Sequence, residues 1–189
     1  MRKVYLDLGG NKGQGLRSFI SRYDINPSEW IVETFEPDPN CDIESNISDL
    51  KYVNINKKAI WINDGKIQFS QMLENTEGSS VECLMSKGVC SDPNSESFRK
   101  HDSIIEVECV DISSLLKRYT DYDFVLVKMD IEGSEFKVLR KILDDDTINI
   151  VNHLYVEWHH NYVNGEDEST VKDLKNKIKN RGIELYEWH

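Results

Sequence analysis

Four short stretches of this chain gather residues able to do chemistry. The first is Asp7-Leu8-Gly9-Gly10-Asn11-Lys12-Gly13. Closely spaced glycines let a backbone turn tightly and approach a ligand with no side chain in the way. An acidic residue directly before them suits a positively charged group on that ligand. The run departs from the dinucleotide fingerprint. G-x-G-x-x-G needs a glycine at position 11, where Asn11 stands, and a second start at Gly13 and Gly15 fails at Ser18. A bare strand-to-helix turn is the plain alternative.

The second stretch closes an apolar run at Glu36-Pro37-Asp38-Pro39. A carboxylate at such a strand end can accept hydrogen bonds from both hydroxyls of an adenosine ribose. Phe35 or Ile60 suit the faces of an adenine ring, and suit a core equally well. The third, Lys128-Met129-Asp130-Ile131-Glu132-Gly133-Ser134-Glu135, crowds three carboxylates after the most apolar run of the chain. Asp130 can take a proton from an acceptor hydroxyl or bind a divalent cation, because burial and like charges raise a carboxylate toward a base's working range. Acidic residues around a helix start also meet its dipole favourably, and Glu135 is read in that structural way. The fourth, Glu157-Trp158-His159-His160, adds a carboxylate and an imidazole. Asp130, Glu157 and the imidazole together make an oxygen and nitrogen set for a divalent metal. His159 also suits general acid/base work or a hydrogen bond to a substrate.

These groups need a scaffold that brings them together. Residues 4–8 form a short apolar run that stops at the glycines, and Leu16, Phe19, Ile20 and Tyr23 follow at helical spacing. Residues 31–35 read as a second strand ended by the prolines, with a helix after it on Ile43, Ile47 and Leu50. Residues 52–55 and 59–62 are short strands. The second, followed by Asn63-Asp64-Gly65 and the alternating Ile67 and Phe69, predicts a hairpin. The polar stretch 74–102 reads as a substrate loop or lid, with a short strand at 81–85 inside it.

Residues 104–110 alternate as a strand, and Asp111 caps a helix with an apolar face of Ile112, Leu115, Leu116 and Tyr119. Residues 124–129 are the central parallel strand, covered on both faces. A helix on Phe136, Leu139, Ile142 and Leu143, a strand over 150–157, a helix on Val171, Leu174 and Ile178 and a last strand over 183–188 complete the chain. Alternating strands and helices predict an α/β fold, a mostly parallel central sheet with helices on both faces. Ligands on such sheets sit beyond the carboxyl ends of the strands, which are the four places named above.

At 189 residues the chain reads as one domain, 1–189. No run reaches the length of a membrane span and no signal stretch opens the chain, so the expected location is cytoplasmic and no membrane partner is expected. A net charge of −11 argues against nucleic acid, whose phosphates need clustered Lys and Arg. Cys41, Cys83, Cys90 and Cys109 have no metal or redox spacing and read as reduced thiols.

With these residues in view, the sequence resembles the FkbM family of S-adenosylmethionine-dependent methyltransferases. The signs run from Tyr5-Leu6-Asp7-Leu8-Gly9-Gly10-Asn11-Lys12-Gly13 through Thr34-Phe35-Glu36-Pro37-Asp38-Pro39, Lys58-Ala59, Ser79-Ser80 and Val110-Asp111 to Lys128-Met129-Asp130-Ile131-Glu132-Gly133-Ser134-Glu135 and Glu157-Trp158-His159. The resemblance implies a class I methyltransferase Rossmann-like fold and O-methylation of a hydroxyl on a sugar, glycan or similar small molecule. It implies S-adenosylmethionine at Asp7, Gly9, Gly10, Asn11, Gly13 and Glu36, with Ala59 and Ser80 near its adenosine end. It also implies a base and a Mg2+ ion at Asp130, for which Glu157 is the nearest further ligand. Related enzymes carry helices ahead of the first strand, whereas here that strand begins almost at Met1. The expectation is therefore a minimal enzyme or one domain of a larger chain that includes glycosyltransferase domains. An NAD(P)-dependent oxidoreductase and a non-catalytic Rossmann-like binding domain are the competing readings.

Overall fold

The computed structural model describes residues 1–72, 78–81 and 103–189. The substrate loop expected over 74–102 and the strand expected at 81–85 lie outside the described residues, apart from 78–81.

Six strands form one sheet: β1 (Lys3–Leu8), β2 (Trp30–Phe35), β3 (Val53–Asn56), β7 (Phe124–Met129), β8 (His153–Val156) and β9 (Glu184–Glu187). Their order is β3-β2-β1-β7-β8-β9, and every neighbouring pair is parallel. The intervening helices are α1 (Gln14–Arg22), α2 (Ile43–Asn46), α3 (Ile112–Lys117), α4 (Glu135–Asp144) and α5 (Glu168–Lys179). This is the α/β, Rossmann-like architecture that the alternation of elements predicts.

The period of two along β1 sorts its side chains onto two cores. Val4, Leu6 and Leu8 pack with the apolar faces of α3, α4 and α5. Tyr5 packs with Leu16 and Phe19 of α1 and with Leu126 of β7. A strand covered on both faces can be apolar throughout, and in β1 Val4, Tyr5, Leu6 and Leu8 are all fully buried. Asp7 of β1 and Lys128 of β7 are the buried charged residues of these adjacent strands, and both belong to the site.

A second sheet, ordered β4-β6-β5, is built from β4 (Ala59–Trp61), β5 (Gly65–Gln71) and β6 (Ser103–Asp111). It corrects the expected hairpin. The Asn63-Asp64-Gly65 turn is present, but β4 and β5 do not pair with each other. β6 lies between them, parallel to β4 and antiparallel to β5. The reason is burial: Ile60 belongs to the main core while Ala59 and Trp61 pack in a separate cluster. β4 is thus buried on both faces, and its backbone partner comes from β6 rather than from the strand across the turn. The strand expected over 150–157 is shorter, because Thr147–Ile150 forms a 3-10 turn and β8 starts at His153. The predicted cap is present at α3, where the Asp111 carboxylate accepts from the Ser114 N–H at 2.8 Å. Among the described residues no helix is long and apolar enough to cross a membrane.

Candidate active site

Four strands end level. Phe35 pairs with Leu8, Leu8 with Met129 and Met129 with Val156. The next residue of each strand continues the same ladder, with Gly9 N–H donating to Phe35, Asp130 N–H to Leu8 and Glu157 N–H to Met129, each at 3.0 Å. Glu36, Gly9, Asp130 and Glu157 consequently stand in a row along one edge of the sheet. The chain's order reverses between β1 and β7, which is where open parallel sheets bind ligands.

Gly9 sits at this reversal with φ +83°, and an added Cβ would lie 1.7 Å from the Asp130 carbonyl oxygen. No other residue fits there. A Cβ on Gly10 would lie 2.2 Å from Thr34 Oγ1. Gly13, also at positive φ, packs against Ile47 and does not line the cavity described below. Its part is to start α1.

Asp7 does not reach the cavity either. It is fully buried beneath the loop, where Oδ2 accepts from Thr34 Oγ1 at 2.9 Å and Oδ1 lies 3.5 Å from Lys128 Nζ. Burial raises its carboxyl, against the pull of Lys128. Lys128 was not singled out from the sequence, yet it ties the glycine loop to Asp7 and Asp130. Its ammonium donates to the Gly9 carbonyl at 2.6 Å and lies 3.2 Å from Asp130 Oδ2. Burial pulls the ammonium down, but Asp7 and Asp130 outweigh it and hold Lys128 above its ordinary value. The signal for it was a lysine inside an otherwise continuous apolar strand.

Glu36 closes the other side of the glycine loop. One carboxylate oxygen accepts from the Asn11 N–H and the other from the Asp38 N–H, each at 2.8 Å. Burial pushes its carboxyl up to about 7 despite these two donors. Asn11 adopts φ +43° and lines the cavity beside Glu36.

After Asp130 the chain turns through Glu132 and Gly133, both at positive φ, and Glu135 holds the turn. Its buried carboxylate accepts from the Ile131 and Gly133 N–H groups at 2.8 Å each and faces His159 Nδ1 at 3.0 Å. The structural reading of Glu135 is thus right but incomplete, since the same group also orients His159. His159 Nε2 lies 3.5 Å from Glu132 and 3.8 Å from Glu157. Burial lowers the imidazole, but the Glu135 hydrogen bond and charge, with Glu132 and Asp130, push it up to about 9. That shift favours the cationic, donating form of the ring, which suits the acid side of the expected acid/base role and a hydrogen bond to a substrate. Glu157 is raised, first by burial and then by the charge of Asp130.

These groups surround one cavity of about 700 Å³, a usual size for a small-ligand site. Its lining combines apolar side chains, Phe35, Ala59, Ile60, Phe69 and Met72, with the acidic Asp130, Glu132 and Glu157 and the aromatic Trp158 and Tyr162. Phe69 and Met72 are additions from the second sheet, which local sequence could not place. Ser80 is just behind the lining, where its hydroxyl donates to the Glu132 carbonyl and its backbone pairs with Ser70.

The residues do not fit magnesium. The donors that gather are Asp130, Glu132 and His159, whose ligand atoms lie within 4.8 Å of one another. Of the expected ligands this group of three includes Asp130 but not Glu157. Magnesium takes a near-ideal octahedron of oxygens. Here one of the three donors is an imidazole nitrogen whose ring is already bonded to Glu135, and Asp130 already faces the Lys128 ammonium.

With this geometry in place, comparison with known proteins is specific. The family model for the methyltransferase FkbM domain matches residues 7–185. The crystal structure of methyltransferase FkbM from Methylobacillus flagellatus KT superposes with a TM-score of 0.51 at 15% identity, covering 95% of this chain and 37% of that one. The chain thus spans little more than a third of that protein's length. Homoserine dehydrogenase from S. aureus covers 99% of this chain and 33% of its own at 12% identity, with a TM-score of 0.34 that is too low to bear on the fold. No curated protein matches.

Proposed function

Because the chain belongs to the FkbM methyltransferase family, we propose that it transfers a methyl group from S-adenosylmethionine to a hydroxyl of a sugar, glycan or related small molecule. The observation that carries this reading is the row of Glu36, Gly9, Asp130 and Glu157 along the level ends of four strands, beside a cavity lined by both apolar and acidic side chains.

Each part of the donor has a matching wall. Adenine suits the apolar side chains of Phe35 and Ile60. The ribose hydroxyls suit Glu36, because a carboxylate oxygen has two lone pairs and each here gives only one to the backbone. The methionine part suits the glycine loop, which leaves the sulfonium methyl facing Asp130. The acceptor oxygen then attacks that carbon. A carbon–oxygen bond forms, the carbon–sulfur bond breaks with its electron pair returning to sulfur, and the acceptor proton passes to the Asp130 carboxylate.

Much of the rate comes from holding both partners in line, with the base adding about 10²- to 10⁴-fold. Lys128 ties Asp130 to the cofactor loop, and Glu135 fixes the turn that follows. No metal enters this scheme, so transfer should persist in chelator. The test is a panel of glycans and small hydroxyl compounds incubated with methyl-labelled donor, with products identified by mass spectrometry. Methylated product from a hydroxyl acceptor supports the reading. Transfer to nitrogen or carbon alone would overturn its oxygen specificity.

A further inference from the structure

We infer that Gln71, on β5 of the second sheet, is a positioning residue for the donor's ribose, acting through Asp38 on Glu36. The inference rests on the donor binding as described above, and adds to that site the part that aims its ribose acid.

Neither Gln71 nor Asp38 lines the cavity, yet both are buried, Gln71 at 4% and Asp38 at 0% exposure. They join β5 to the turn that follows β2, where Gln71 Nε2 donates to Asp38 Oδ1 at 2.9 Å. The amide is held to that orientation. Ser103, the register partner of Gln71 on β6, donates its hydroxyl to Oε1 at 2.8 Å, which leaves Nε2 for a carboxylate that accepts.

Asp38 has little else to hold it. Its Oδ1 also accepts from the Asn40 N–H at 2.9 Å, but Asn40 belongs to the same turn and moves with it. Its Oδ2 is buried with no hydrogen-bond partner among the described residues. A carboxylate taken out of water depends strongly on each donor it keeps. Gln71 therefore supplies the hydrogen bond that, among the described residues, ties the Asp38 carboxylate to another element.

The same residue aims Glu36. The Asp38 N–H donates to one Glu36 oxygen and the Asn11 N–H to the other, at 2.8 Å each. A carboxylate pinned at both oxygens is held against rotation, so its remaining lone pairs keep one direction. The two neighbouring hydroxyls of a ribose need such a pair of fixed acceptors. Without Gln71 the Asp38 N–H drifts from its oxygen, and the carboxylate turns about its bond to Asn11. Contacts to adenine and to the methionine part come from other walls and stay.

The test is calorimetric titration of the whole chain at about pH 8, above the Glu36 value, with S-adenosylhomocysteine and with its 2′-deoxy analogue. Wild type should prefer the ribose form by at least about tenfold, as expected for hydrogen bonds to a charged group. Gln71→Met, which keeps the length and removes the donor, should cut that preference to about threefold or less and leave affinity for the deoxy form nearly unchanged. A merely structural loss would weaken both ligands alike. Ser103→Ala, which frees the amide to turn away, should reduce the preference by a smaller factor, and it decides if Gln71→Met does not fold. A wild type that binds both ligands equally, a preference unmoved by the variants, or equal weakening of the two ligands overturns the proposal while leaving the methyltransferase reading intact. If wild type binds neither ligand, that reading fails and the proposal with it.

Discussion

Asp7 and Lys128 are register partners in the β1–β7 ladder, buried on the same face of the sheet with their charges 3.5 Å apart. Asp7 lies under the glycine loop rather than in the cavity, while Lys128 lines the cavity and reaches the Gly9 carbonyl and Asp130. The cofactor loop and the proposed base are therefore locked to each other through one ammonium.

Lys128→Met should cost about 3–5 kcal/mol, because removing one partner of a buried pair leaves the other uncompensated. The double variant with Asp7→Asn should recover part of that loss, since the orphaned charge goes with it. Lys128→Arg should not rescue, for a planar guanidinium does not fit where the Gly15 Cα face closes on the lysine chain. Denaturant unfolding of the four proteins checks this. Equal stability of Lys128→Met and wild type would show that the pair holds nothing.

Gly9→Ala should abolish donor binding and destabilise the fold by about 2 kcal/mol or more, since its Cβ would enter the Asp130 carbonyl at a positive φ. Gly65→Ala, at positive φ but with open space around it, should keep donor binding. Thermal melts with and without donor separate the two.

Donor affinity should follow the ionisation of Glu36. Its carboxyl titrates near about 7, and only the ionised form accepts from both ribose hydroxyls. Affinity should fall roughly tenfold per pH unit below that point. The stability of the unliganded protein carries the opposite sign. A carboxyl raised above its unfolded value binds its proton more tightly in the folded chain, so this contribution is present at low pH. It is lost as pH rises from the ordinary carboxylate range through about 7. Glu36→Gln should flatten both profiles, and titrations between pH 5.5 and 8.5, a range chosen to bracket the Glu36 value, would reveal it.

The sequence made the scaffold readable wherever the signal was local. The run into Gly9, the prolines after Glu36, the Asp111 cap and the buried strand before Asp130 all mark their own ends. The small sheet was not readable, because the strand between β4 and β5 comes some forty residues later in the chain. Nothing at Asn63-Asp64-Gly65 announces it. Glu36 and Asp130 were placed from strand ends alone. The parts of Lys128, Glu135, Phe69 and Met72 depend on which elements lie side by side, which sequence spacing does not carry. Asp7 was expected to touch the ligand. It stands where β1 pairs with β7, and its alternation with Leu6 and Leu8 turns it under α1 instead.

Asp130→Asn should lower turnover by about 10²- to 10⁴-fold, the usual share of a general base, while donor affinity changes far less than turnover. Single-turnover transfer from prebound donor distinguishes this from a folding defect. Near-normal transfer would remove Asp130 as the base.

The most direct measurement is a paired calorimetric titration with S-adenosylmethionine and with NAD at pH 8, above the Glu36 value, on wild type and on Gly10→Ala, whose Cβ would meet Thr34. The account predicts one site for S-adenosylmethionine, lost in the variant, and no heat from NAD at matched concentration. Saturable NAD binding with none for the methyl donor at millimolar levels would contradict it.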